Sequence, residues 1–268
     1  MQGRVLIIAG SDSGGGAGIQ ADIKTVTALG GYAMTAITAL TAQNTLGVED
    51  IAEIPPEFIV RQMDMVLKDI GADAIKIGML HRREVVEAVA GYFDVTEDLP
   101  PVVLDPVMIA KGGASLIAND ASEAIKYRLI GPHTHLLTPN IPEAEQLTGI
   151  TITSRQDMER AGRRLLDLGP VAVLMKGGHA SGETVTDLLI SPQGVEEFTH
   201  PRIDSRHTHG TGCTLSSAIA TGLAQGLSAS DAVGRAIRYV EIAIQQAPGF
   251  GAGHGPLDHT HTVVPFTA

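Results

Sequence analysis

The stretch Arg4-Val5-Leu6-Ile7-Ile8-Ala9-Gly10-Ser11-Asp12-Ser13-Gly14-Gly15-Gly16-Ala17-Gly18-Ile19 joins an apolar run to a glycine-rich turn and then to a helical pattern. Val5–Ala9 has the composition of a strand buried on both faces. Ile19, Ile23, Val26 and Leu29 recur near helical spacing, and Gly30-Gly31 closes that segment. A strand, a tight polar turn and a helix in that order make up half of a βαβ unit.

The same alternation continues outward from it. Ala36–Leu40, Ala74–Ile77, Val102–Leu104, Leu136-Leu137 and Val171–Met175 are further short strand candidates. Helical patterns run through 57–70, 82–90, 120–129, 142–147, 155–168, 214–225 and 230–246. Thr184–Ile190 and Val195–Thr199 flank Ser191-Pro192-Gln193-Gly194, a hairpin signal. The alternation predicts an α/β sandwich with a mainly parallel sheet. Neither an internal repeat nor a low-complexity linker interrupts the 268 residues, so a single domain over 1–268 is expected. The Gly-, Pro- and His-rich stretch from Gly249 to Ala268 is expected to be irregular.

Composition narrows the classes of function. The chain is 44% hydrophobic and 3% aromatic with no Trp, so its core is aliphatic. One cysteine excludes an internal disulfide and fits a reducing, cytoplasmic setting. No apolar run is long enough for a membrane span, and no leader pattern precedes the first strand. A net charge of −11 without basic blocks argues against nucleic acid as the main partner. It leaves room for a phosphorylated ligand, because converging backbone N–H groups bind anions on acidic proteins as well.

In parallel sheets, ligands bind beyond the carboxyl ends of the strands. The residues there are polar and varied. Asp105-Pro106-Val107-Met108 follows one run, with Lys111-Gly112-Gly113 beyond; Thr138-Pro139-Asn140-Ile141-Pro142-Glu143 follows another; Lys176-Gly177-Gly178-His179 follows a third. Magnesium takes oxygen ligands and keeps several waters, so one or two carboxylates suffice for it. A lysine supplies a point charge for phosphate. His209-Gly210-Thr211-Gly212-Cys213-Thr214 leads into a helical pattern, and a helix N-terminus behind a glycine turn gathers unpaired N–H groups toward an anion. A helix N-terminus lowers the pKa of a thiol, so Cys213 either serves as a base or, where the loop merely closes over it, is a buried and inert thiol. Position, metal, cation and base together form the parts list for phosphoryl transfer.

Other readings stand beside this one. The first glycine loop loosely matches a dinucleotide-binding turn, but Ala42-Gln43-Asn44 stands where the acidic partner of that fold is expected. A nicotinamide-dependent oxidoreductase and a non-catalytic ligand-binding protein are therefore rival classes. His133/His135 and His259/His261 have a spacing that metal pairs also use, yet solvent-exposed polar positions are the expectation. Gln43–Gly47 and Ser181–Glu183 have the turn composition of lids.

The segments IAGSDSGGGAGIQADIKT (8–25), TALTAQNT (38–45), KIGML (76–80), LDPVM (104–108), TPNIPEAE (138–145), LMKGGH (174–179), THGTGCTLSSAIA (208–220) and GHGP (253–256) carry a closer likeness. Over almost its whole length the chain resembles the ribokinase-like superfamily and, within it, the bacterial hydroxymethylpyrimidine/phosphomethylpyrimidine kinases of thiamin biosynthesis. The resemblance implies a three-layer ribokinase-like sandwich, ATP and Mg²⁺ as cofactors, a small aminopyrimidine alcohol and its phosphate as substrates, and a homodimer. It implies Cys213 as the base and the N–H groups of Gly210, Thr211, Gly212 and Cys213 as an anion hole. Lys176 would meet ATP phosphates, and Asp105, Asn140 and Glu143 would hold magnesium largely through water. Gln43 would grip the aminopyrimidine, with Gly10, Asp22, Met79 and Val107 lining its pocket. Pyridoxal kinases of the same superfamily are the nearest alternative.

Overall fold

A computed structural model of the chain describes residues 3–108, 119–179, 182–264 and 267. Lys111-Gly112-Gly113 and Ser181 lie outside the described residues. The strands are β1 (Arg4–Asp12), β2 (Tyr32–Asn44), β3 (Gly47–Glu53), β4 (Ala74–Ile77), β5 (Val102–Leu104), β6 (Leu136–Leu137), β7 (Ala172–Met175), β8 (Thr184–Ser191) and β9 (Gly194–Pro201). The helices are α1 (Gly18–Ala28), α2 (Pro56–Asp69), α3 (Arg83–Asp94), α4 (Asn119–Ala124), which widens into a π-helical run at Ile125–Ile130, α5 (Gly131–His133), α6 (Ile141–Thr148), α7 (Arg155–Leu166), α8 (Thr211–Ala224) and α9 (Ala229–Gln245).

All nine strands join in one sheet, ordered β3-β2-β1-β4-β5-β6-β7-β8-β9. Six of them, from β2 through β1 to β7, run parallel; β3, β8 and β9 add antiparallel ladders at the two edges. Apolar residues alternate to the two faces of the sheet and make two cores. Leu6, Ile8, Ile75, Ile77 and Leu104 pack one way under α2, α3, α4, α6 and α7. Val5, Ile7, Val103 and Leu136 pack the other way under α8 and α9 with Val26 of α1. The expected three-layer architecture is thus present. From β1 the chain crosses to β2 on one side, then returns to β4 on the other, so a crevice opens beyond the carboxyl ends of β1 and β4.

Three features differ from the sequence reading. β2 extends to Asn44, and a two-residue turn, Thr45-Leu46, leads to β3, a strand that the polar run Gly47–Glu53 did not announce. Gln43 and Gly47 therefore belong to paired strands of a hairpin. Helix α8 begins at Thr211, three residues earlier than the apolar pattern implies, so Cys213 sits in its first turn. The irregular C-terminal stretch is packed down: Leu257 and His259 are buried.

His259 corrects the expectation of an exposed histidine. It is 3% exposed and shares a 3.0 Å hydrogen bond with Thr214 Oγ1, while its carbonyl accepts from Tyr239 Oη at 2.7 Å. His133 instead pairs with Asp94 at 2.8 Å. Burial, reinforced by the Lys24 charge, pushes the His259 imidazole down from 6.5 to about 4. The unfolded chain then takes up this proton before the folded one does. The group leaves stability unchanged above its unfolded value, and stability falls as pH drops from about 6.5 toward 4. The full loss is up to about 3 kcal/mol. His259→Gln should flatten that part of the melting temperature against pH curve; an unchanged slope would show that His259 takes its proton without cost.

Candidate active site

The crevice at the strand ends is a cleft of about 1240 Å³. Gly10, Met79, Val107, Gln43, Asp105, Asn140, Glu143, Lys176 and the whole Gly210–Cys213 turn line it. Asp22 does not. It is 0% exposed, behind the cleft floor, and its carboxylate is held by Lys76 Nζ at 2.9 and 3.0 Å and by Ser217 Oγ at 2.7 Å. Asp22 faces inward from helix α1, so its expected place in the substrate pocket is replaced by an ion pair beneath that pocket.

The anion turn is built by close approach. Gly210 has φ +84°, and a Cβ there would lie 1.8 Å from the Gly16 carbonyl oxygen. Only glycine accepts both conditions. This left-handed residue caps α8, whose first helical bond runs from Thr214 N–H to Gly210 O at 2.9 Å. The N–H groups of Gly212 and Cys213 therefore have no partner within the helix, and they sit at its positive end. Thr211 N–H is partly engaged with Thr208 O at 3.4 Å.

The first glycine loop is organised by Asp12. Its carboxylate accepts from Gly14 N–H at 2.8 Å, Gly16 N–H at 3.1 Å and Ala17 N–H at 2.8 Å, and lies 2.8 Å from His209 Nε2. Burial opposes its charge, but the His209 hydrogen bond and the backbone donors hold it below the usual carboxylate range. His209 thereby ties the first loop to the anion turn, and the same ring nitrogen lies 3.2 Å from Gln43 Nε2. The other end of the Gln43 amide accepts from Thr41 Oγ1 at 3.2 Å. A C-terminal strap covers the outside of this corner: Gly253 and His254 N–H donate to Thr45 at 3.3 and 2.9 Å, and His209 N–H donates to Gly255 O at 3.2 Å. Sequence reading missed Asp12 and His209. Their signal was an acid inside the glycine loop, placed to cap its own turn.

On the opposite wall Lys176 Nζ lies 2.9 Å from Asp105 Oδ1, and Thr138 Oγ1 donates to the same carboxylate at 3.3 Å. Asn140 and Glu143 form a capping box on α6: Asn140 Oδ1 accepts from Glu143 N–H at 2.9 Å, and Glu143 Oε2 accepts from Asn140 N–H at 2.8 Å. These two side chains thus start a helix as well as line the cleft. Burial pushes Glu143 up to about 7, against the pull of Lys176 and with the push of Asp105. Two carboxylates and one ammonium crowded in a largely buried wall form a place where an added cation is favoured. Among the described residues no group of three or more His, Cys, Asp or Glu could hold a metal ion. A hard cation there must complete its shell with waters and ligand oxygens, as magnesium does.

Cys213, the chain's one cysteine, is partly exposed to the cleft. Its thiol is not lowered as its helix position suggested. Burial pushes it up to about 11, with Asp22 and Asp105 adding to the rise and Lys76 and the Gly18 N–H opposing it. Desolvation of a thiolate outweighs the helix end here. Among the described residues no helix is long and apolar enough to cross a membrane.

The family of phosphomethylpyrimidine kinases matches residues 12–258. The chain belongs to that family. It is 52% identical over 259 residues to the thiamine biosynthesis bifunctional protein ThiED of Geobacter sulfurreducens, a match that covers 96% of this chain but only 52% of that protein. It is 46% identical to the hydroxymethylpyrimidine/phosphomethylpyrimidine kinase of Bacillus subtilis, over 96% of this chain and 94% of the relative. The structure of pyridoxal kinase from Staphylococcus aureus in complex with AMP-PCP and pyridoxal superposes with a TM-score of 0.87 at 33% identity, covering 97% of this chain and 94% of that one. The fold of the family is that of the ribokinase-like kinases, as the resemblance implied, and the chain is a kinase.

Proposed function

We propose that this kinase uses ATP to phosphorylate 4-amino-5-hydroxymethyl-2-methylpyrimidine and then phosphorylates the monophosphate to the diphosphate. The observation that carries this reading is the placement of Gln43 and the Gly210–Cys213 turn on one cleft: a primary amide, with donor and acceptor side by side, shares the cleft with an anion site. The relatives support it, since identity to the Bacillus subtilis pyrimidine kinase is 46% and to the pyridoxal kinase structure 33%.

The aminopyrimidine ring would lie between Gln43, Gly10, Met79 and Val107. A Cβ at Gly10 would stand 2.5 Å from Met79 Cε, so a larger residue there would push the Met79 thioether into the space left for the ring. The apolar wall of Val185, Leu215, Ile237, Val240 and Ile244 suits the purine of ATP, with Lys176 reaching its phosphates. Magnesium would be held by Asp105, Asn140 and Glu143 through water and would neutralise phosphate charge. The substrate hydroxyl oxygen forms its bond to the γ-phosphorus as the bond from that phosphorus to the ADP oxygen breaks. Its proton goes to Cys213 in its thiolate form, which becomes the thiol, and the Gly212 and Cys213 N–H groups hold the charge on the transferred phosphoryl oxygens. A single domain, a homodimer and a cytoplasmic location complete the proposal.

Phosphorus NMR of the protein with Mg-ATP decides among the substrates. With the hydroxymethylpyrimidine, monophosphate and then diphosphate signals are expected. A phosphate ester from pyridoxal alone, with the pyrimidine unreacted, would move the chain to the vitamin B6 kinases. No phosphorylated product from either would overturn both readings.

A further inference from the structure

Lys76 is a lysine in the middle of a buried strand, and the reaction as described gives it no task. Its side chain is 0% exposed, flanked by Ile75 and Ile77 of β4. A lysine there needs a reason, since a buried ammonium costs several kcal/mol unless paired. The fold makes special room for it: a Cβ at Gly78 would lie 2.8 Å from Lys76 Nζ. Its partner is Asp22 of α1, at 2.9 Å, and Asp22 in turn accepts from Ser217 Oγ at 2.7 Å. Ser217 follows Cys213 by four residues on α8, which puts the two side chains on one helix face, one turn apart. Lys76 and Cys213 both line the cleft floor.

We infer that Lys76 is a positioning residue for the kinase reaction: clamped by Asp22 against helix α8, it holds a fixed positive charge at the sulfur of Cys213, where the substrate proton arrives. The inference rests on the base role proposed for Cys213. As the hydroxyl gives up its proton, the sulfur must be ready as an anion, in a site that already gathers phosphate charge. The charged groups that face it are Lys76 and Lys176 on one side of the balance and Asp22 and Asp105 on the other. Burial works against the Lys76 charge, yet Asp22, with Cys213 and Asp105 behind it, keeps the ammonium well above its ordinary value. It therefore remains charged throughout the working range, and being out of water its charge acts on the sulfur more strongly than that of a solvated surface lysine would.

The test uses the single cysteine of the chain. The rate of iodoacetamide alkylation of the intact protein, followed by mass across pH, reads the ionisation of Cys213 and of no other thiol. Lys76→Met should move the profile to higher pH. At a fixed pH below the midpoint, alkylation should slow roughly tenfold for every pH unit by which the midpoint rises. Asp22→Asn keeps a partner for Ser217 and leaves Lys76 uncompensated, so it should move the profile to lower pH. In kinase assays Lys76→Met should also slow transfer to the hydroxymethyl group more than transfer to the monophosphate. Alkylation profiles of both variants that track the parent would overturn the inference, and Asp22→Asn decides alone if Lys76→Met does not fold. Alkylation needs no substrate, so this result is separate from whether Cys213 is the base: displaced profiles with equal effects on both transfers would keep the Lys76 charge at the sulfur and remove the base role.

Discussion

Cys213→Ala is expected to slow transfer to the hydroxymethyl group by about 10²–10⁴-fold, the usual worth of a general base, and to slow transfer to the monophosphate far less. The two acceptors differ in the proton they carry. An alcohol keeps its proton until the oxygen–phosphorus bond forms, whereas a phosphate ester is largely ionised near neutral pH. The second transfer therefore asks nothing of a base. The raised thiol sharpens this prediction. With Cys213 pushed up to about 11, the thiolate is scarce at neutral pH, and the first transfer should accelerate as pH rises toward that value. The second transfer should lack that rise. Single-turnover rates for each acceptor across pH measure both effects. Equal losses in the two transfers would make Cys213 a shaping element of the anion turn instead.

Lys176→Ala should lower both transfers, by about 10²–10³-fold if it acts like other preorganised charge stabilisers. The donor nucleotide is the same in each, and Lys176 is the ammonium on the Asp105 wall of the cleft, 2.9 Å from that carboxylate. Removing it also leaves Asp105 and Glu143 with less compensation, so the affinity for free ATP should fall more than the affinity for its magnesium complex. Steady-state kinetics for each acceptor, with nucleotide varied, separates these effects. An unaffected first transfer would refute the phosphate role.

The parallel sheet was legible because a strand buried on both faces must be apolar throughout, and most of the runs from β1 to β7 announce themselves that way. The edge was not. Gly47–Glu53 pairs only with β2 and carries exposed acids, so it has neither the apolar run nor clean alternation. Asp105, Asn140, Glu143 and Lys176 were singled out by their position after strand ends and the Gly210–Cys213 turn by its glycines, and all of them line the cleft. Asp22 misled because a helix near a ligand turn has a face toward the core as well as toward the cleft. Lys76 was passed over because its apolar neighbours hid one charge, although a charge in such a run is itself the anomaly. The thiol's direction was misjudged because a helix end can be read from a motif, whereas the depth of burial arises only when α1, β4 and α8 meet.

The strap from Gly253 to Pro256 gives synthesis an order. Gly253 binds Thr45 from 208 positions further along the chain, and Gly255 closes on His209. Chains emerge from the ribosome N-terminus first, and what has emerged begins to fold. The hairpin and the first glycine loop are therefore made long before the segment that pins them. A nascent chain that has not yet reached the strap can hold the sheet but not a finished pocket. Substrate binding should accordingly arrive late in translation, well after the last strand of the sheet has been made.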